Sequence, residues 1–101
     1  MVQEEQIIMD YQNNRRQLES DEELLHNFKK RGEQALEQAY QNLDMKLRND
    51  KLDHQAVSYF KQELIKVQNS YDEIINHEQK SLLKKLENNE LNYQEKLNQN
   101  K

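Results

Sequence analysis

Not one proline interrupts the 101 residues of this chain, and it holds a single glycine, Gly32. Turns and strand ends draw on these two residues, so a chain almost without them is steered toward a few long helices. Gly32 itself lies in "KKRGEQALEQAY", among strong helix formers. Charged residues make up 34% and hydrophobic ones 34%, and Asn and Gln add 25 positions. Polarity of this degree can signal disorder. The abundance of Leu, Glu, Lys and Gln instead predicts long helices with a narrow apolar seam.

In the first half the apolar or small residues are Ile7, Tyr11, Leu18, Leu25, Phe28, Gly32, Ala35, Leu36, Ala39, Leu43 and Leu47. The steps are mostly three, four or seven, the mark of one helical face. Asn14 and Asp21 interrupt it. Ser20 with Glu23 matches a capping box, which leaves two readings open: a helix continuous from about residue 3 to 48, or a break near Ser20. The pattern stops at "RNDKLDHQ", where Asn49 and Asp50 suit a helix end and Asp53 an N-cap. A turn is therefore expected over residues 49–53.

A second helix is expected over about residues 54–98. Phe60, Tyr71, Leu82 and Tyr93 recur every eleven residues, as do Leu64, Ile75, Leu86 and Leu97. That period is about 3.67 residues per turn, close to a straight helix. Folding the chain back at the turn pairs positions whose numbers sum to 103 or 104. Leu47 then meets Ala56, Leu43 meets Phe60, Ala39 meets Leu64 and Leu36 meets Val67. Phe28 meets Ile75, Leu18 meets Leu86, Tyr11 meets Tyr93 and Ile7 meets Leu97. The fold class expected is all-α: one antiparallel two-helix hairpin over residues 1–101. In this register Gly32 faces Tyr71, which makes the glycine a packing notch for a bulky ring.

Further apolar residues lie off this seam: Ile8, Leu24, Tyr40, Tyr59, Ile65, Ile74, Leu83 and Leu91. They widen the stripe beyond what one facing helix covers, so they are candidate partner-binding residues, with a bundle completed by helices from elsewhere.

Other functions find little support. The net charge is −4, with 11 acids against 7 bases in residues 1–50 and 8 of each in residues 51–101. Acids surround Arg15-Arg16, Lys29-Lys30-Arg31 and Lys84-Lys85, so no nucleic-acid footprint is expected. Zero cysteines exclude disulfides and thiolate metal sites. His26 and His77 pair in the register, but two imidazoles without a third ligand make a poor zinc site, and His54 is expected in water. No nucleophile–base pair or phosphate-cradling loop is visible, and a narrow hairpin offers no pocket to raise a carboxylate pKa. No enzyme activity, cofactor or metal is expected. The start "MVQEEQIIMDY" lacks a basic segment followed by an apolar core, and no apolar run approaches the ~18 residues of a membrane span. A cytoplasmic location is expected, and any co-export would use a route without a cleaved signal peptide.

"YQNLD" (residues 40–44) and "YFKQE" (residues 59–63) place an acid four residues after a tyrosine, a pattern similar to export signals of type VII secretion substrates. Both flank the turn, whereas such signals follow the second helix, and an ordinary surface pair is the expected reading. The small secreted proteins with Trp-x-Gly in the turn do not fit, because there is no tryptophan and Gly32 is far from "RNDKLDHQ". Polar helices of matched length, the "RNDKLDH" turn and the following "AVSYFKQELIKVQNSYDEII" carry another resemblance. On these the chain resembles the small α-helical targeting proteins encoded beside LXG toxins of type VIIb secretion systems, the kind without a C-terminal export motif. The resemblance implies binding to the helical N-terminal region of a toxin, in a composite bundle that can include a second small helical partner. It implies a role as targeting factor or chaperone for export. The competing expectation is a self-assembling structural coiled coil, a homo-oligomer with no secretion role. A stable oligomer of the chain alone would favour self-assembly, and a labile monomer a missing partner.

Overall fold

The computed structural model describes residues 2–100. Two α-helices account for almost all of them: α1, Val2–Arg48, and α2, His54–Gln99. The two run antiparallel as a hairpin, so the fold is all-α. Helix α1 passes through Ser20 without a break. The capping-box residues are overridden there because seam residues lie on both sides of Ser20, and helix propagation is cheap once a helix is nucleated. Glu4 and Glu5 lie in the first turn of α1 and Lys46 and Arg48 in its last, each sign favourable to the helix dipole.

The connection ends one helix and starts the next with local hydrogen bonds. Asp50 adopts a left-handed conformation, φ 55°. Around it Lys51 N–H donates to the Lys46 carbonyl (2.9 Å) and Asp50 N–H to the Leu47 carbonyl (3.2 Å). This pair of bonds is a Schellman motif, which satisfies carbonyls the helix leaves free. Asp53 then caps α2: its Oδ1 accepts from Ala56 N–H at 2.7 Å.

Contacts divide the chain into two units. The turn unit is Asn27–Asn76, and the terminal unit is Met1–His26 with His77–Lys101. In the turn unit, Tyr71 packs on Gly32. A Cβ built at Gly32 would overlap the Tyr71 ring, and the ring hydroxyl donates to the Phe28 carbonyl on α1. Asp44 and Lys61 join the helices by an ion pair of 2.9 Å. In the terminal unit, Tyr11 stacks on Tyr93 with ring centroids 4.2 Å apart.

Among the described residues the buried hydrophobic side chains are Val57, Ile75 and Leu82, each still slightly accessible. Ile7, Tyr11, Leu18, Leu25, Leu36, Ala39, Leu43, Leu64, Tyr71, Leu86, Tyr93 and Leu97 are half-buried. Three residues expected in the seam are exposed instead: Phe28, Phe60 and Val67. One facing helix shields only a strip about one side chain wide, so a residue a step from its centre keeps a flank in water. Phe28 shows this directly, with one face stacked on Tyr71 (centroids 5.7 Å, planes 11° apart) and 57% of the residue still accessible.

Candidate interaction surface

The turn unit carries two unlike grooves between α1 and α2. One, about 320 Å³, is lined by Ala39, Asn42, Leu43 and Lys46 of α1 and by Phe60, Glu63, Leu64 and Val67 of α2. The other is lined by Lys29, Leu36, Tyr40 and Tyr71, and also by Glu33, Glu37, Asp44 and Asp72. Residues two apart on a helix point about 200° apart, so Asn42 and Asp44 open to opposite sides of the unit. One side is thus apolar with a single charge of each sign, and the other is mainly acidic. Ile74, seven residues after Val67, continues the apolar side and is exposed.

The off-seam residues divide on burial. Leu24, Tyr59, Ile65, Ile74, Leu83 and Leu91 are exposed, Leu24 most of all at 64%. Ile8 and Tyr40 are half-buried, Tyr40 because it reaches into the acidic groove. Met9 and Met45, which periodicity did not single out, are exposed as well. Buried Val57 was also missed. Its seven-residue spacing to Leu64 was the available signal, obscured by its place in the first turn of α2.

In the terminal unit, a smaller groove runs along Glu22, Leu25, His26, Gln79, Leu82, Leu83 and Leu86. His26 lines it beside Glu22, and His26, His54 and His77 are all exposed. No three His, Cys, Asp or Glu side chains gather as a metal site among the described residues. Toward the chain ends a polar clasp surrounds Tyr11. Its hydroxyl donates to the Glu90 carboxylate and accepts from Arg15 Nη1 at 3.1 Å. Arg15 Nε also donates to Glu19 at 3.0 Å, and Asn89 Nδ2 to the Tyr11 carbonyl at 3.3 Å. The Glu90 hydrogen bond, with some desolvation, raises the Tyr11 phenol above its ordinary value. Arg15 is raised by its bonds to Glu19 and then Tyr11.

Of these surfaces, the groove along Ala39, Leu43, Phe60, Leu64 and Val67 is the one lined mainly by aliphatic and aromatic side chains. No helix among the described residues is long and apolar enough to cross a membrane. Compared with protein-family models, curated proteins and solved structures, the chain matches none.

Proposed function

We propose that this protein is a non-enzymatic adaptor that buries its exposed apolar residues against a helical partner protein. The observation that carries this reading is the imbalance of burial. Val57, Ile75 and Leu82 are enclosed, while Leu24, Tyr59, Ile65, Ile74, Leu83 and Leu91 stand in water. Apolar side chains left in water on both units forgo roughly 25 cal/mol for each Å² that a third helix would cover. Covering them makes a bundle from a hairpin.

The sharper form of the reading follows the resemblance stated above. The partner is the helical N-terminal region of an LXG toxin, and the chain acts as targeting chaperone for its export through a type VII system. Pairing takes place in the cytoplasm. The adaptor then stays behind or leaves with its cargo by a route that uses no cleaved signal.

The test is gentle purification of the tagged protein from its native host, with mass spectrometry of what accompanies it. Recovery of a larger protein with a long helical N-terminus and a separate toxin domain supports the reading. The two should then reconstitute from pure components with a rise in melting temperature, as mass action requires. Recovery of the chain with no other helical protein overturns it.

A further inference from the structure

We infer that Tyr11 and Tyr93 form an oxidative cross-linking site, at which a peroxide-driven one-electron oxidant joins the two rings by a carbon–carbon bond and staples α1 to α2. Of the five tyrosines in the chain, these two stack on each other, with centroids 4.2 Å apart and planes 23° apart. Tyr71 stacks on Phe28 instead, and Tyr59 meets Phe60 edge-on. Coupling two phenoxyl radicals requires ring against ring. Holding the rings in contact replaces a slow encounter between chains by a step within one chain. Both rings are half-buried, so each stays within reach of an oxidant in water.

The surroundings of Tyr11 favour its oxidation. A phenol that loses an electron becomes strongly acidic and must pass its proton to a base. The Glu90 carboxylate already accepts the hydrogen bond of that proton, so electron and proton leave together without prior ionisation of the phenol. Arg15 Nη1 donates to the same oxygen at 3.1 Å and stays bound to the neutral radical. Tyr71 lacks this help, because its hydroxyl donates to the Phe28 carbonyl, a far weaker base than a carboxylate.

Each phenol gives up one electron and one proton, the proton of Tyr11 going to Glu90 and that of Tyr93 to water. The radicals join at ring carbons next to the hydroxyl-bearing carbons. The hydrogens on the joined carbons then move to the two oxygens, which restores both phenols. One hydrogen peroxide, turned over by a haem peroxidase, takes up the two electrons and two protons and leaves as two waters. The product ties residue 11 to residue 93 in a chain that has no cysteine to do so. A link across so long a loop constrains the unfolded chain as a disulfide would. This inference does not rest on the adaptor reading.

Treating dilute protein with hydrogen peroxide and a haem peroxidase tests it. Trypsin, cutting after Arg15, Lys85 and Lys96, isolates residues 1–15 and 86–96. Mass spectrometry should find these two peptides joined and two hydrogens lighter than their sum, in a product that keeps the 12.3 kDa of one chain. Tyr11→Phe and Tyr93→Phe should each abolish the joined pair. Glu90→Gln, whose amide oxygen still accepts a hydrogen bond but takes no proton, should slow its formation several-fold with helix content unchanged. Cross-links formed mainly through Tyr59, which is 57% exposed, would mean that exposure alone selects the site, and would overturn the proposal. So would dityrosine found only between chains, no dityrosine at all, or an equal rate in Glu90→Gln.

Discussion

The turn unit and the terminal unit use the same two helices and close them differently. In the turn unit a side chain is missing from α1, and the Tyr71 ring fills the space at Gly32. In the terminal unit nothing is missing: two tyrosines stack across the pair, and Glu90, Arg15 and Asn89 bind one of them. The first solution depends on shape and fails if a few atoms are added. The second depends on polar bonds at the surface, each of modest worth and each sensitive to the solution. The units also differ in what they leave in water. The turn unit exposes Phe28, Met45, Tyr59, Phe60, Ile65, Val67 and Ile74, and the terminal unit Met9, Leu24, Leu83 and Leu91. The unit packed by shape is also the one with the larger unpaired apolar surface.

Adding bulk at the notch should give the largest effect. Gly32→Leu forces the Tyr71 ring out of its place and breaks its bond to the Phe28 carbonyl. Overpacking of this kind costs about 3 kcal/mol, partly offset by up to ~1 kcal/mol of helix propensity gained over glycine. The melting temperature should fall, and amide exchange should speed up in residues 27–76 more than in the terminal unit. An unchanged melt would mean that Tyr71 is held elsewhere. A smaller loss, about 1 kcal/mol, is expected for Asp53→Ala, which removes the cap on Ala56 N–H. Thermal denaturation followed by circular dichroism measures both.

Smaller again, and opposite in sign, is the effect of Asp50→Gly. Asp50 holds a φ of 55° that glycine adopts without a Cβ penalty. The substitution should stabilise the turn by at most ~1 kcal/mol, less whatever the freer unfolded chain takes back. A loss on denaturant titration would show that the Asp50 carboxylate contributes something its backbone conformation does not reveal.

The hairpin, its turn and the facing of Gly32 and Tyr71 were legible in the sequence because each follows from one-dimensional spacing. Seven- and eleven-residue steps set the face, and a constant sum of positions set the register. Burial was less legible. Phe60 and Val67 satisfy the spacing as well as Leu64 and Tyr71 do, yet they stay exposed. Which flank of a seam meets water depends on the rotation of each helix about its axis, and spacing alone does not determine that. The Tyr11 clasp was not legible at all. Glu90, Asn89 and Arg15 look like ordinary surface residues until α2 brings the first two beside Tyr11. The candidate partner-binding residues were named from the same spacing, which finds apolar side chains off the seam but not what covers them.

The clasp supplies the smallest effect and one confined to the terminal unit. The Glu90 hydrogen bond raises the Tyr11 phenol above its ordinary value of about 10. A group whose folded value is raised contributes stability in full below its unfolded value and loses it as pH climbs through the folded one. At neutral pH, Tyr11→Phe should therefore melt below the wild type, having lost the donor to Glu90 and the acceptor for Arg15 while keeping the stack on Tyr93. Above pH ~10 the gap should narrow and close, because the wild-type phenolate no longer donates and faces the Glu90 carboxylate with like charge. Both groups reach solvent, so added salt should shrink the ionic part of the gap. Amide exchange in the turn unit should not distinguish the two proteins at any pH. A gap that stayed constant well into the alkaline range would mean that the hydroxyl acts by packing alone, and the contrast between a shape-closed unit and a polar-closed one would then fail.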